Sequence, residues 1–169
     1  MKIEIYSRAE MEKRLQEGPL YNTAVVSFFD PPASRTPKGY APLDYGDKCS
    51  VLFSVGVHDI DLEVLPEYGL TFEIYLPEAK HLARFIKTAV EGHLDIICQC
   101  EYGQSRSAAC AAAIREYFCK DGISVFADYR YYPNQLIFNK VLDALRETDN
   151  EECVWKVKRR ILCCSKNTN

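Results

Sequence analysis

Residues 94–107 read "LDIICQCEYGQSRS". The first half is almost continuously apolar, as a central parallel strand covered on both faces must be. The second half crowds reactive residues together: Cys98 and Cys100, then Gly103, then Arg106, with Ser107 directly after. The residues that follow, "SAACAAAIREYFC" (107–119), have the small side chains of a helix that packs close to a sheet. The stretch therefore reads as strand, tight loop and helix. A loop at the carboxyl end of a parallel strand is where open α/β sheets bind ligands.

Working outward, the flanking segments agree with such a sheet. "KIEIYS" (2–7) alternates as a first strand, Ser7 is placed to cap a helix over "RAEMEKRLQEG" (8–18), and Gly18 closes it. "NTAVVSFF" (22–29) is a second, more buried strand, and "CSVLFSVGV" (49–57) a third. The long proline-containing connection between them (30–48) is of a length more often functional than decorative. In "PEAKHLARFIKTAVEG" (77–92), Leu82, Phe85, Ile86, Ala89 and Val90 form one apolar stripe, with Pro77 near the first turn and Gly92 at the stop. Two further helices are expected around 134–147 and 151–164. Strands alternating with helices predict a single α/β domain over residues 1–169, a mainly parallel central sheet flanked by helices.

Composition narrows the function. The net charge of −3 is wrong for a general nucleic-acid binder, and the basic cluster at Lys156, Lys158, Arg159 and Arg160 suits the solvated face of a last helix. The chain start lacks the pattern of a secretory signal, and no stretch has the length of a membrane span. The eight cysteines mostly lie in apolar runs, where free cysteine behaves as a small hydrophobe, so a reducing cytoplasm is the expected setting. Zinc-type cysteine and histidine spacings are missing, and no metal or cofactor is expected.

The loop's position suggests its chemistry. A helix amino terminus offers unpaired N–H groups and partial positive charge, and successive N–H groups in a tight turn make a nest for anions. The expected cradle is the backbone of Glu101, Tyr102, Gly103, Gln104, Ser105 and Arg106. Gly103 lets the turn close, and the planar fork of Arg106 suits two phosphate oxygens. Cys100 at the mouth of this cradle is placed to act as a thiolate nucleophile on phosphorus, with Ser107 as the sulfur's hydrogen-bond partner. An acid must also protonate the departing oxygen. "HDID" (58–61) ends the third strand on the same sheet edge and supplies Asp59 and Asp61, which otherwise read as loop and cap residues.

Cys100 to Ser107, "CEYGQSRS", resembles the Cys-x5-Arg-Ser/Thr signature of cysteine-based protein tyrosine phosphatases, and its ending looks most like the dual-specificity branch and its compact bacterial relatives. "VGVHD" (55–59) looks like the segment carrying that branch's general acid, which places the acid at Asp59 and keeps Asp61 in reserve. "YYPNQLIFNKVL" (131–142) is similar to the family's Pro-Asn helix start. The resemblance covers roughly residues 20–146. It implies that the loop cradles phosphate, Cys100 attacks, Arg106 binds the transition state and Asp59 serves as acid and then base. Three features depart from the family: Gln99 stands where histidine usually precedes the nucleophile, "LEVLPEYGLTFEIY" (62–75) lengthens the interval before Cys100, and the loop interior lacks lysine. That insert reads as a lid, a substrate wall or a longer crossover. The missing lysine favours a phosphotyrosine-like monoester over a polyphosphorylated lipid.

The expected partners are therefore a phosphorylated protein or a small phosphomonoester, with phosphate or sulfate able to occupy the loop. A phosphate-binding protein without turnover and a small-metabolite phosphatase are the alternatives. Oxidised Cys100 would have Cys98 and Cys110 as local thiol partners. Of the tyrosines, Tyr102 is expected near the cradle, while Tyr129, Tyr131 and Tyr132 either line a pocket or edge the core. His58 either tunes Asp59 or has no role, and His81 belongs to the polar side of its helix.

Overall fold

The structure is a computed structural model that describes residues 1–31, 42–49 and 51–148. The helix expected over 151–164, its basic cluster and Cys153, Cys163 and Cys164 lie outside the described residues. The elements are β1 (Ile3–Ser7), α1 (Arg8–Gln16), β2 (Thr23–Phe29), β3 (Val51–Gly56), a 3-10 helix (Leu62–Tyr68), α2 (Ala79–Glu91), β4 (Asp95–Cys100), α3 (Arg106–Cys119), α4 (Ile123–Phe126) and α5 (135–148). The four strands lie in the order β1-β4-β2-β3, and every pair is parallel. All four strand ends that follow the chain direction therefore share one edge of the sheet. The carboxyl end of β4 sits between those of β1 and β2, so whatever follows Cys100 is flanked on both sides.

Strand alternation assigns the two faces. Val25 and Ile97 turn toward α1, where Met11 and Leu15 cover them together with Leu20, Leu43 and Tyr45. Ala24, Val26, Phe28, Ile96, Cys98 and Cys100 turn toward the larger core, shared with α2, α3 and α5. On α2 the expected stripe holds: Leu82, Ile86 and Ala89 are buried, and Phe85 and Val90 pack at the margin. Each buried Leu or Ile there contributes about 1.5–3 kcal/mol.

Helix α3 has no polar face over its middle. Ala108 through Ile114 are fully buried, because β1 and β4 lie on one side and α4 and α5 enclose the other. The run of alanines is what allows so many neighbours to crowd one helix.

Helix ends follow local chemistry. Ser7 caps α1 in a full capping box with Glu10. Asn134 caps α5, its Oδ1 accepting the Ile137 N–H at 3.0 Å. Pro77 stands just before the cap of α2, near its first turn, and Gly92 is its C-cap, with His93 the left-handed residue that follows. Among the described residues, no helix is long and apolar enough to cross a membrane.

Candidate active site

Cys100 is the last residue of β4 and Arg106 the first of α3, so the cradle residues connect a central strand directly to a helix start. The Cys100 Sγ lies 3.1 Å from the Ser107 Oγ, and both side chains are buried. Sequence spacing alone had placed this pair, and the structure brings it into contact.

The surrounding protein holds the loop's carbonyls. The Cys100 carbonyl accepts from Gln99 Nε2 at 2.7 Å, and the Glu101 carbonyl from the Arg8 N–H at 3.0 Å. The Gln104 carbonyl accepts from the Tyr132 N–H at 2.9 Å, and that of Ser105 from the Ala109 N–H at 2.8 Å. In a planar trans peptide the N–H points opposite to the C=O. Each tie thus turns the next N–H, of Glu101, Tyr102, Ser105 and Arg106, away from its anchor. Gly103 completes the shape with φ +69°, and a Cβ there would come within 2.6 Å of the Ser7 nitrogen. The loop rests on the β1–α1 junction so closely that only glycine fits.

Gln99 is buried on the opposite face of β4 from Cys100, beside its register partner Ser27. Its Oε1 accepts from the Ser27 hydroxyl at 2.6 Å and the Tyr45 hydroxyl at 3.1 Å. Burial pushes the Tyr45 hydroxyl up to about 12, so it stays a donor. With both donors on Oε1, the amide's nitrogen end is left for the Cys100 carbonyl. The residue that departs from the family pattern is therefore tied into the loop's first peptide.

Arg106 is only 2% exposed. Its Nη1 donates to Asp30 Oδ1 at 2.6 Å and to the Val57 carbonyl at 3.0 Å. Its Nε is buried without a hydrogen-bond partner, 3.7 Å from Asp59 Oδ2. Leaving such a donor unmade is costly, which suits a ligand oxygen at that edge of the fork.

Asp59 reaches the loop: its Oδ1 accepts from the Ser105 hydroxyl at 2.6 Å and from Asn134 Nδ2 at 3.0 Å. The same amide donates to the Ile60 carbonyl at 2.9 Å, and Tyr75 donates to the His58 carbonyl at 2.6 Å. These bonds fix the segment that carries the carboxylate. Asp61 instead precedes the 3-10 helix, without a side-chain capping bond. The His58 ring packs on Tyr68, and burial, its largest cause, lowers its pKa.

Cys98 packs in the core, hydrogen-bonded to Cys110, and that bond together with burial holds its thiol well above the ordinary range. A cavity of about 850 Å³ opens beside Ser105 and Asp59. The insert before Cys100 forms one wall of it through Leu62, Glu63 and Phe72, and Tyr131 and Tyr132 line another part. Tyr129 does not line it, and Tyr102 stands exposed on the loop. His81 is exposed on α2.

Sequence reasoning missed Asp30, Ser27, Tyr45 and the Ser7–Arg8 support. Asp30 left a faint signal, as the first charged residue after the buried strand β2, hence at the same sheet edge as the loop.

Neither a family model nor a curated protein sequence matches this chain. Among solved structures, the crystal structure of human DUSP28 overlaps 88% of this chain and 94% of its own, with 13% identity and a TM-score of 0.49. The crystal structure of PTPMT1 overlaps 90% of this chain and 94% of its own, with 11% identity and a TM-score of 0.44.

Proposed function

We propose that this chain hydrolyses phosphate monoesters by a metal-independent, cysteine-dependent mechanism, with phosphorylated tyrosine in a protein as the substrate class. The observation that carries the reading is the buried Nε of Arg106, without a hydrogen-bond partner and held beside Asp59, at the end of a loop whose carbonyls accept from residues outside its turn.

In the first step the Cys100 thiolate bonds to phosphorus as the ester P–O bond breaks. Asp59 gives its proton to the departing oxygen. Arg106 and the backbone N–H groups from Glu101 to Arg106 hold the three phosphoryl oxygens and take up charge as it develops. In the second step water attacks phosphorus, the Asp59 carboxylate accepts its proton, and the S–P bond breaks to release inorganic phosphate. The Ser107 hydroxyl stabilises the departing sulfur. Hydrogen bonding within the Ser27–Gln99–Tyr45 group supplies the loop support that favours turnover over simple phosphate binding.

The test is hydrolysis of p-nitrophenyl phosphate in EDTA and a reductant, by the wild type and by Cys100→Ser. Turnover that persists in EDTA and disappears in the variant supports the reading. A wild type that binds vanadate without turning over substrate makes the chain a phosphate-binding protein instead.

A further inference from the structure

The cavity beside the loop differs in charge from the loop itself. Its walls include Asp59, Asp61 and Glu63 together with aromatic surface from Phe72 and Tyr131, and neither lysine nor arginine lines it. Two cations stand behind these walls without lining the cavity: Lys140 stacks on Phe72 and donates to the Glu73 carbonyl, and Arg130 stacks on Tyr131 while paired with Asp128. Among the described residues, no three carboxylate, histidine or cysteine side chains group to hold a metal ion.

A second observation gives the cavity a direction. The Nε of Arg106, buried and without a hydrogen-bond partner, lies 3.7 Å from Asp59, and Asp59 and the loop's own Ser105 are both part of the cavity wall. On the Asp59 side of Arg106, the surface that adjoins a bound anion is therefore the cavity wall that carries Asp61 and Glu63. The phosphate end meets positive charge and everything beyond it meets negative charge. Clefts of one sign with low-dielectric walls focus the field and select among ligands of opposite and like charge.

We infer that this cavity selects phosphotyrosine peptides flanked by lysine or arginine, and rejects those flanked by acidic residues. The inference rests on the phosphatase reading and adds the chemistry of the substrate beyond its phosphate. The aromatic surface accommodates the long aliphatic stems of the basic residues while their charged ends face the carboxylates.

The experiment compares kcat/KM for two phosphotyrosine peptides of equal length, one with lysine and one with glutamate on both sides, with p-nitrophenyl phosphate run in parallel. At low salt the wild type should favour the lysine peptide by roughly five- to tenfold. The preference should shrink as salt is raised. Glu63→Lys should reduce the ratio of the two rates or invert it, and the ratio is internal to each protein, so expression level does not enter. Equal rates, or a preference for the glutamate peptide in the wild type, overturn the selection while hydrolysis stands. A ratio unchanged in Glu63→Lys also overturns it. Absence of turnover on all three substrates by the wild type overturns the phosphatase reading, and this inference with it.

Discussion

Arg106 Nη1 and Asp30 Oδ1 meet at 2.6 Å across 76 positions of the chain. The pair holds the guanidinium by its Nη1 while its Nε lies 3.7 Å from Asp59. Asp30→Ala removes that brace without touching the loop. The expected outcome is a roughly tenfold or greater fall in kcat/KM for p-nitrophenyl phosphate, with the fold retained by circular dichroism. Unchanged kinetics would show that Val57 and the loop alone position the arginine.

Ser107→Ala tests the sulfur contact at 3.1 Å. One hydrogen bond to a developing thiolate is worth about 1–2 kcal/mol, so kcat should fall about tenfold. If the bond acts when sulfur departs, the phosphoenzyme should accumulate, and rapid-mixing experiments should show a burst of p-nitrophenol that the wild type lacks.

Gln99→Leu leaves the buried hydroxyls of Ser27 and Tyr45 and the Cys100 carbonyl without their present partner. The expected loss is about 2–4 kcal/mol in urea denaturation. Tyr45→Phe removes one donor and should cost about 1 kcal/mol. Both should lower kcat, since the first peptide of the loop loses its anchor or the anchor's orientation.

Gly103→Ala introduces a Cβ 2.6 Å from the Ser7 nitrogen at a left-handed backbone position. Neither the loop nor the β1–α1 junction can yield alone. A loss of at least about 2 kcal/mol in stability, together with loss of vanadate binding, is the expected result.

Acid should loosen the same junction. The Glu10 carboxylate accepts from the Ser7 N–H and hydroxyl, both at 2.7 Å, and these bonds lower its pKa below the ordinary 4.5. The unfolded chain therefore takes up this proton first as pH falls. The stabilisation is complete above the unfolded value and disappears through the lower folded one. As pH falls through 4.5 and below, the wild type should lose more stability than Glu10→Ala, and the two should converge at the acid end.

The strand, loop and helix around Cys100 were legible because their signals are local: an apolar run, a fixed spacing and a stretch of small residues. The Asn134 helix start was legible for the same reason, although its second task of holding Asp59 was not. Residue spacing left Asp59 and Asp61 equal as candidates, since both follow one strand; of the two, Asp59 is the one that accepts hydrogen bonds from Ser105 and Asn134. Gln99 read only as a departure from the usual histidine because its partners, Ser27 and Tyr45, become neighbours only through strand register and a loop crossing. The 3-10 helix at Leu62–Tyr68 contains Pro66, and α4 is one turn long, so neither has the periodicity that marks a helix in sequence.

The contact between Gly103 and Ser7 has a consequence for how the protein is made. Among the described strands, β1 pairs only with β4, and Ser7 is the register partner of Cys100. During synthesis the first strand emerges early and must wait for β4 before it has a neighbour in the sheet. The Arg8 N–H that anchors Glu101 is supplied by the same late docking. A loop only a few residues long is thus assembled from the two described strands farthest apart in sequence. Closure over that distance is the slow kind, so the ability to grip phosphate should appear with the final consolidation of the native state and not before it.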